Sequence, residues 1–222
     1  MFNIITRRTL LEYVKQYPLA STALLEWYHE LEKADFKNFN ELKEVYGNAS
    51  LVGDERMVFN IMGNKFRLVV RIVFEYKAIQ VKWFGTHAEY DKIDVESVIF
   101  KKDNMELKII KTEELYQDYL NWVDELFDKQ LSPDTKEGEM LQVALLLIKQ
   151  YEDANYPVPM PDPIEAIKAK MKEAGLRNKD LVGKVGSKGY VSSILSGRKP
   201  LTLELAKLFH RELNIPAEVF LS

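Results

Sequence analysis

The stretch KDLVGKVGSKGYVSSILSGRKPLTLELAKL, residues 179–208, contains the turn, cap and helix signals that decide the fold of the C-terminal part of the chain. Gly183 and Gly186 bracket a turn in which a bulky side chain would clash or require a positive φ angle. Ser187 is a favourable cap for the following helix, and Gly197 is a typical end for it. The inner face of that helix consists of Val191, Ile194 and Leu195. These signals predict a helix-turn-helix motif.

The flanking residues extend this motif and give it a basic surface. Leu181 and Val182 are expected on a short helix before the turn, and Pro200 is expected to open a third helix over residues 201–213. The predicted outer surface consists of Ser187, Lys188, Tyr190, Ser192, Ser193, Arg198 and Lys199. Such groups donate to phosphates or reach base edges when a helix lies in the major groove. Residues 163–222 resemble the Cro/C1-type (Xre-like) helix-turn-helix domain, which implies that they bind operator DNA as two copies on a pseudo-palindrome.

Composition bounds the remaining possibilities. A chain of 222 residues has room for two or three domains, and no apolar run approaches the roughly 20 residues that a membrane span needs. Because the N-terminus also lacks the pattern of a signal peptide, we expect a cytoplasmic protein without a membrane partner. The chain has no cysteine and only three histidines, far apart in sequence. We therefore expect no metal site and no cofactor.

Charge is distributed unevenly along the chain. Residues 105–160 contain five basic against twelve acidic side chains, and residues 161–222 contain eleven basic against seven acidic ones. Residues 1–104 are balanced at fifteen of each. An acidic segment between a neutral part and a basic part is suited to covering a cationic surface.

The N-terminal part has the period of strands after the period of helices. The predicted helices are residues 6–16, 20–34 and 40–46. The predicted strands are residues 57–61, 65–75 and 78–84. Gly63-Asn64 and Tyr76-Lys77 are the hairpin turns between these strands. The sequence thus predicts an α+β fold in which a three-stranded antiparallel meander packs on helices.

Cations are predicted on one face of this sheet. Alternation places Arg67 and Arg71 on the same face of the middle strand, and the neighbouring strands add Asn60, Gln80 and Lys82. The last strand is followed by His87, Tyr90, Asp91 and Lys92. A face of this kind can hold a polyanion backbone, although Arg67 and Arg71 are equally compatible with a solvated sheet face. Trp27 and Trp83 are expected in the core.

These segments carry a family resemblance. Two N-terminal helices followed by VFN (58–60), GNKFRLVVRI (63–72) and GTHAEYDKID (85–94) resemble the HigB family of RelE-like toxins, over about residues 1–100. The resemblance implies a ribosome-associated mRNA endonuclease. The segment that begins MELKIIKTEE at Met105 is similar to the HigA-type antitoxin, which implies a toxin and an antitoxin in contact within one chain.

The resemblance implies metal-free cleavage of RNA. The ribose 2′-oxygen would lose its proton to a base and attack the adjacent phosphate, and an acid would protonate the leaving 5′-oxygen. His87 would be the acid or base, because its ordinary pKa lies near neutrality. Arg67 and Arg71 would clamp the phosphate, and Tyr90 would stack on a base or pass a proton. The remaining candidates are Asp91 and Lys92 in catalysis and Asn60, Lys65 and Lys82 in RNA binding.

Three domains are predicted on this basis. Residues 1–100 would be the toxin, residues 105–160 an acidic helical segment that neutralises it, and residues 161–222 the DNA-binding domain. Helices are expected over residues 113–127 and 136–153, and a proline-rich linker over residues 157–163. A dimer of the pair on DNA is the expected assembly.

A different class of protein fits the same residues. The chain would then be a helix-turn-helix transcriptional regulator whose N-terminal part is a non-catalytic sensor or oligomerisation domain. Residues 1–100 expressed alone should arrest growth if they are a toxin and should be harmless if they are a sensor.

Overall fold

The computed structural model describes residues 1–53, 55–91 and 107–221. The chain divides into two compact units. The first unit comprises Met1–Tyr17 and Glu30–Val158, and the second comprises Pro18–His29 and Pro159–Ser222. Residues 107–158 thus cluster with the first unit, while the predicted three-domain division stays a prediction. Among the described residues, no helix is long and apolar enough to cross a membrane.

A five-stranded sheet forms the framework of the first unit. Its strands are β1 (Asn3–Ile5), β2 (Ser50–Leu51), β3 (Arg56–Ile61), β4 (Phe66–Val73) and β5 (Ala78–Thr86). Their order is β1-β5-β4-β3-β2, with β1 parallel to β5 and the other pairs antiparallel. The predicted α+β class and meander are confirmed, the meander as β3 to β5. The prediction of three strands was wrong because β1 and β2, at three and two residues, are too short to show an alternating pattern.

Helices occupy most of the remaining described residues. They are α1 (Arg7–Gln16), α2 (Ser21–Lys33), α3 (Phe39–Val45), α4 (His87–Tyr90), α5 (Glu113–Asp128), α6 (Lys136–Asn155), α7 (Pro163–Glu173), α8 (Lys188–Leu195) and α9 (Leu203–Leu213). Thr112 and Thr135 cap α5 and α6 by accepting hydrogen bonds from Leu115 N and Gly138 N. These caps fix where the two helices of the acidic segment begin.

The sheet of the first unit is covered on both faces. On one face the ring of Tyr13 in α1 contacts Phe84, and the ring of Tyr46, directly after α3, contacts Phe59. On the other face α5 and α6 form one apolar cluster with Ile5, Val73 and Ala78. Members of this cluster from the two helices include Tyr119, Val123, Phe127, Leu141, Ala144 and Ile148, all buried. The acidic segment is therefore a layer of the first unit.

A β-bulge interrupts the pairing of β4 with β5. Val69 pairs with Trp83 and Val70 pairs with Val81, so Lys82 is the extra residue in β5. The side chains of β5 change faces at this point. The hydroxyl of Thr6, at the start of α1, accepts a hydrogen bond from the Val81 N–H beside the bulge.

A buried carboxylate joins α6 to the first helix. Glu152 is fully buried, and its Oε1 accepts hydrogen bonds from the backbone N–H of Arg7 and the hydroxyl of Tyr116. The side chain of Arg7 also bonds Asp153 at 2.6 Å. Burial raises the pKa of Glu152 to about 7, although the hydrogen bonds from Tyr116 and Arg7 act to lower it. The contact thus places a weakly acidic group between α6 and the N-terminus of α1.

The second unit contains the segment that the sequence singled out. Gly183 and Gly186 have φ angles of 90° and 150°, and the Ser187 side chain accepts a hydrogen bond from Tyr190 N at the start of α8. Two details of the sequence prediction were wrong. Val182 is 43% exposed, because only a short 3₁₀ turn, Asn178–Leu181, precedes it. The last helix begins at Leu203 instead of 201, because Thr202 caps it.

The buried Glu152 predicts a pH-dependent stability. Since its folded-state pKa lies above its ordinary value, this group stabilises the fold below about pH 4.5 and loses that contribution as pH rises towards about 7. Glu152→Gln stays uncharged, so the free energy of unfolding of the unsubstituted chain should fall relative to the variant by up to about 3 kcal/mol over this range. Urea unfolding at a series of pH values measures the difference.

Asp153 provides the matched control. Although burial acts to raise it, hydrogen bonds from Lys149 and Arg7 hold the pKa of Asp153 below its ordinary value. Asp153→Asn should therefore keep the pH dependence between about pH 4.5 and 7 that Glu152→Gln removes. If the free energy of unfolding changes equally with pH in the Glu152→Gln variant and in the unsubstituted chain, the role given to Glu152 is contradicted.

Candidate functional site

The open end of the β4–β5 hairpin brings several predicted site residues together. Arg67 is paired with Asn60 on β3 and with Gly85 on β5. Arg67 is partly exposed, and its guanidinium donates to the carbonyl oxygens of Asn64 and Phe66, each at 3.3 Å. Among the described residues, no carboxylate forms an ion pair with it. Arg67 can therefore reach an anion from solvent.

His87 lies directly beside this hairpin end. Its backbone N–H donates to the carbonyl of Lys65, an exposed residue at the start of the hairpin, at 3.1 Å. A capping box fixes the start of α4, because Thr86 accepts from Glu89 N while the Glu89 carboxylate accepts from Thr86 N. The His87 ring, 46% exposed, has Nδ1 at 3.2 Å from the carboxylate of Asp91. This neighbour orients the imidazole and leaves its Nε2 directed elsewhere.

Two aromatic rings follow on the same side of the hairpin. The rings of Trp83 and Tyr90 lie 6.0 Å apart at an interplanar angle of 50°. Both side chains are partly exposed, whereas Trp27 is 3% exposed. The expectation of a buried tryptophan is thus confirmed for Trp27 and wrong for Trp83. The β-bulge is the reason, because it moves Trp83 onto the face that carries Arg67.

Arg71 is in a different environment from Arg67. It is only 4% exposed, and its guanidinium forms ion pairs with Glu55 at 3.3 Å and with Asp128 at 2.5 Å. Asp124 lies 3.7 Å away, and the Phe127 ring lies 5.5 Å from the guanidinium carbon. Three of these four contacts come from α5. The expectation that Arg71 is open to a polyanion is therefore corrected, since a layer of carboxylates covers it.

Lys82 shares this covered environment. Its ammonium bonds Asp124 Oδ1, and its side chain is 23% exposed. Burial lowers the pKa of Lys82, against the opposing effect of the Asp124 carboxylate. The predicted cationic face is therefore divided in two. Arg67 and Lys65 stand at the open end, while Arg71 and Lys82 lie beneath α5.

Other predicted residues of the first unit have simpler placements. Asn60 is partly exposed, and its amide donates to the carbonyl of Asn48 at 3.1 Å. Lys92 lies outside the described residues, as do residues 101–104. The sequence reasoning missed Gly85, whose importance comes from the close approach of the Trp83 ring and has no local signal.

The predicted DNA-facing residues lie on and beside α8. Lys188 and Ser192 are exposed, as are Ser187, Arg198 and Lys199, while Tyr190 and Ser193 are partly exposed. Arg198 Nε donates to the Ser196 hydroxyl at 2.9 Å, and Lys199 Nζ lies 4.8 Å from the centre of the Tyr190 ring. These contacts hold the two cations beside the helix. Binding to DNA stays a prediction.

Comparison with known proteins concerns the N-terminal part of the chain. The sequence model of the HigB_toxin family, described as the RelE-like toxic component of a toxin-antitoxin system, matches residues 20–93. The mRNA interferase toxin HigB of Escherichia coli (strain K12) is 31% identical over 91 residues, which are 40% of this chain and 88% of that protein. The mRNA interferase HigB of Shigella flexneri is also 31% identical over 91 residues, with the same 40% of this chain and 88% of that protein covered.

A further relative extends this result. The mRNA interferase HigB of Escherichia coli O6:H1 is 29% identical over 93 residues, 41% of this chain and 90% of that protein. The relatives are thus matched over nearly their whole lengths by less than half of this chain. The likeness to the HigA-type antitoxin stays a prediction. Through its N-terminal part, the chain belongs to the HigB family of RelE-like toxins.

Proposed function

We propose that this chain is a type II toxin–antitoxin pair in a single polypeptide. Its N-terminal part is a metal-independent endoribonuclease of mRNA on the ribosome, its α5–α6 layer restrains that activity, and α7 to α9 bind operator DNA. The covered state of Arg71 carries the proposal. A cation from the strand that also holds Arg67 is neutralised by Asp124 and Asp128 of the acidic segment.

The chemistry of the open end supports an RNA substrate. The positive charges of Arg67 and Lys65 would stabilise the negative charge on the phosphate oxygens, so that no metal ion is needed for this purpose. His87 takes the proton of the ribose 2′-hydroxyl or returns one to the leaving 5′-oxygen, with Asp91 holding its ring. Tyr90 stands one helical turn further, within reach of a base or a proton. The named activity of the HigB relatives is consistent with this assignment.

Restraint requires that α5 and an RNA strand compete for the same cations. The apolar cluster beneath α5 and α6 supplies most of the affinity, since each fully buried large apolar side chain contributes roughly 1.5–3 kcal/mol. The ion pairs to Arg71 and Lys82 set the orientation of the layer. A phosphate cannot reach either cation while the carboxylates of α5 are in place. The acidic segment thus acts as an internal inhibitor.

The second unit supplies the regulatory function. The exposed hydroxyls and cations of α8 are compatible with phosphate and base-edge contacts in a major groove. A single small module of this kind buries too little surface for tight binding, so two copies on a pseudo-palindromic operator are expected. The chain would thereby repress its own transcription.

The first functional prediction concerns the open end. When the chain is divided between residues 104 and 105, residues 1–104 alone should arrest bacterial growth and cleave mRNA. Arg67→Ala or His87→Ala should lower the cleavage rate at least about a hundredfold, because each removes charge stabilisation or proton transfer. Lys43→Ala, an exposed cation on α3, should leave the rate unchanged. Cleavage that survives both site changes in a folded fragment would refute these roles.

The second prediction concerns restraint by α5. Residues 105–222 supplied as a separate polypeptide should restore growth in cells that express residues 1–104. The same piece carrying Asp124→Lys and Asp128→Lys should fail, because two added cations would face Arg71 and Lys82. Growth rate in co-expression is the measurement.

A control piece with the same change of charge distinguishes site from charge. Glu137→Lys and Glu139→Lys alter two exposed positions of α6 and should still restore growth. Restoration by the Asp124/Asp128 variant would place the inhibitory surface elsewhere. Absence of arrest by a soluble, folded 1–104 piece would favour the regulator with a non-catalytic N-terminal part.

The third prediction concerns DNA. Arg198→Ala with Lys199→Ala should weaken binding to all duplexes alike. The slope of the logarithm of the binding constant against the logarithm of the salt concentration should fall in magnitude by about one for each lost phosphate contact. Lys188→Ala or Ser192→Ala should instead relax preference at particular base pairs. Lys172→Ala, on the exposed surface of α7, should change neither quantity. Titration against the upstream duplex and a scrambled one tests this, and equal affinity of the unsubstituted chain for both would contradict operator recognition.

A further inference from the structure

Trp83 occupies a position that a regular strand would not give it. If the side chains of β5 alternated without interruption, Trp83 would lie on the other face from Lys82 and Gln80, which is the face that packs against α1. The bulge at Lys82 instead pairs Trp83 with Val69, so its side chain lies on the face of Arg67. A large aromatic side chain is thereby moved from the face that packs against α1 to the face that carries Arg67. It remains partly exposed there.

Gly85 makes room for the indole. A Cβ atom at this position would lie 2.6 Å from Trp83 Cζ2 and 2.9 Å from Glu89 Oε2, so any other residue would displace the ring. The benzo edge of Trp83 therefore lies against the backbone at Gly85, which is the cross-strand partner of Arg67. This close approach places the indole over the backbone of the residue that pairs with Arg67 across the hairpin.

Tyr90 and the cations complete the surroundings of the indole. The centre of the Tyr90 ring lies 6.0 Å from that of Trp83, and the two ring planes are tilted by 50°. Arg67 and the exposed Lys65 stand at the same hairpin end. Proteins that bind single-stranded nucleic acid combine these two elements, an aromatic ring for the base and cations for its phosphate.

We propose that Trp83 and Tyr90 form a stacking platform for one unstacked base of a single-stranded RNA whose adjacent phosphate is bound by Arg67. This inference rests on the proposed ribonuclease function and adds Trp83 as a substrate-binding residue. The platform lies at the open end of the hairpin, so it is accessible in the intact chain while Arg71 and Lys82 remain covered.

The test uses the full chain with Arg198→Ala and Lys199→Ala, which suppresses binding at the predicted DNA surface. The probe is a short 2′-O-methyl RNA, which cannot be cleaved because the attacking hydroxyl is blocked, together with an abasic strand of equal length. The base-containing RNA should quench tryptophan fluorescence and the abasic strand should not. Trp83→Phe should abolish the quenching, whereas Trp122→Phe, a change at a buried position of α5, should retain it.

Affinity gives the second readout. Trp83→Leu should weaken binding of the base-containing RNA by about tenfold to a hundredfold, the usual effect of losing one stacked base. The same variant should bind the abasic strand as the unsubstituted chain does. Quenching that persists in Trp83→Phe, or an unchanged affinity in Trp83→Leu, would overturn the platform. If residues 1–104 nevertheless cleave mRNA, only this inference fails; if they neither cleave nor bind RNA, the proposed function fails with it.

Discussion

The burial of the Arg71 guanidinium constrains the rest of the first unit. A buried cation is tolerated only when anions compensate for its lost hydration, and removal of such partners typically costs about 3–5 kcal/mol. Glu55 supplies one carboxylate from the turn directly before β3, but Asp124 and Asp128 come from α5. The sheet and the acidic segment therefore depend on each other electrostatically. If α5 left, Arg71 would need water or another anion, and a phosphate is such an anion.

The two arginines of β4 illustrate how one strand serves two purposes. Arg67 and Arg71 lie on the same face and are about 13 Å apart, at roughly 3.3 Å per residue. Only Arg71 is beneath the α5 layer, so the open end can retain its geometry while the covered end is withheld. In the proposed function, a layer that covers only Arg71 and Lys82 would leave Arg67 and His87 assembled at the open end.

Much of the fold followed from the sequence, and the exceptions have physical causes. The helices of the acidic segment and the three-stranded meander were predictable because their periods extend over many residues. The short β1 and β2 were not, because their pairing depends on partners distant in sequence. The candidate site was predictable as a set of residue types, but its division into open and covered halves was not. Neither the bulge at Lys82 nor the ion pairing of Arg71 with carboxylates of α5 can be recognised from the local sequence.

The central claim is that α5 withholds cations from RNA, and the salt dependence of RNA binding counts those cations directly. The logarithm of the binding constant for single-stranded RNA falls with the logarithm of salt concentration by about 0.7 for each phosphate contact. The slope measured for residues 1–104 should exceed that of the full chain with Arg198→Ala and Lys199→Ala by about 1.4, twice this value, because Arg71 and Lys82 become available. Equal slopes would show that the two cations never contact RNA and would contradict the account.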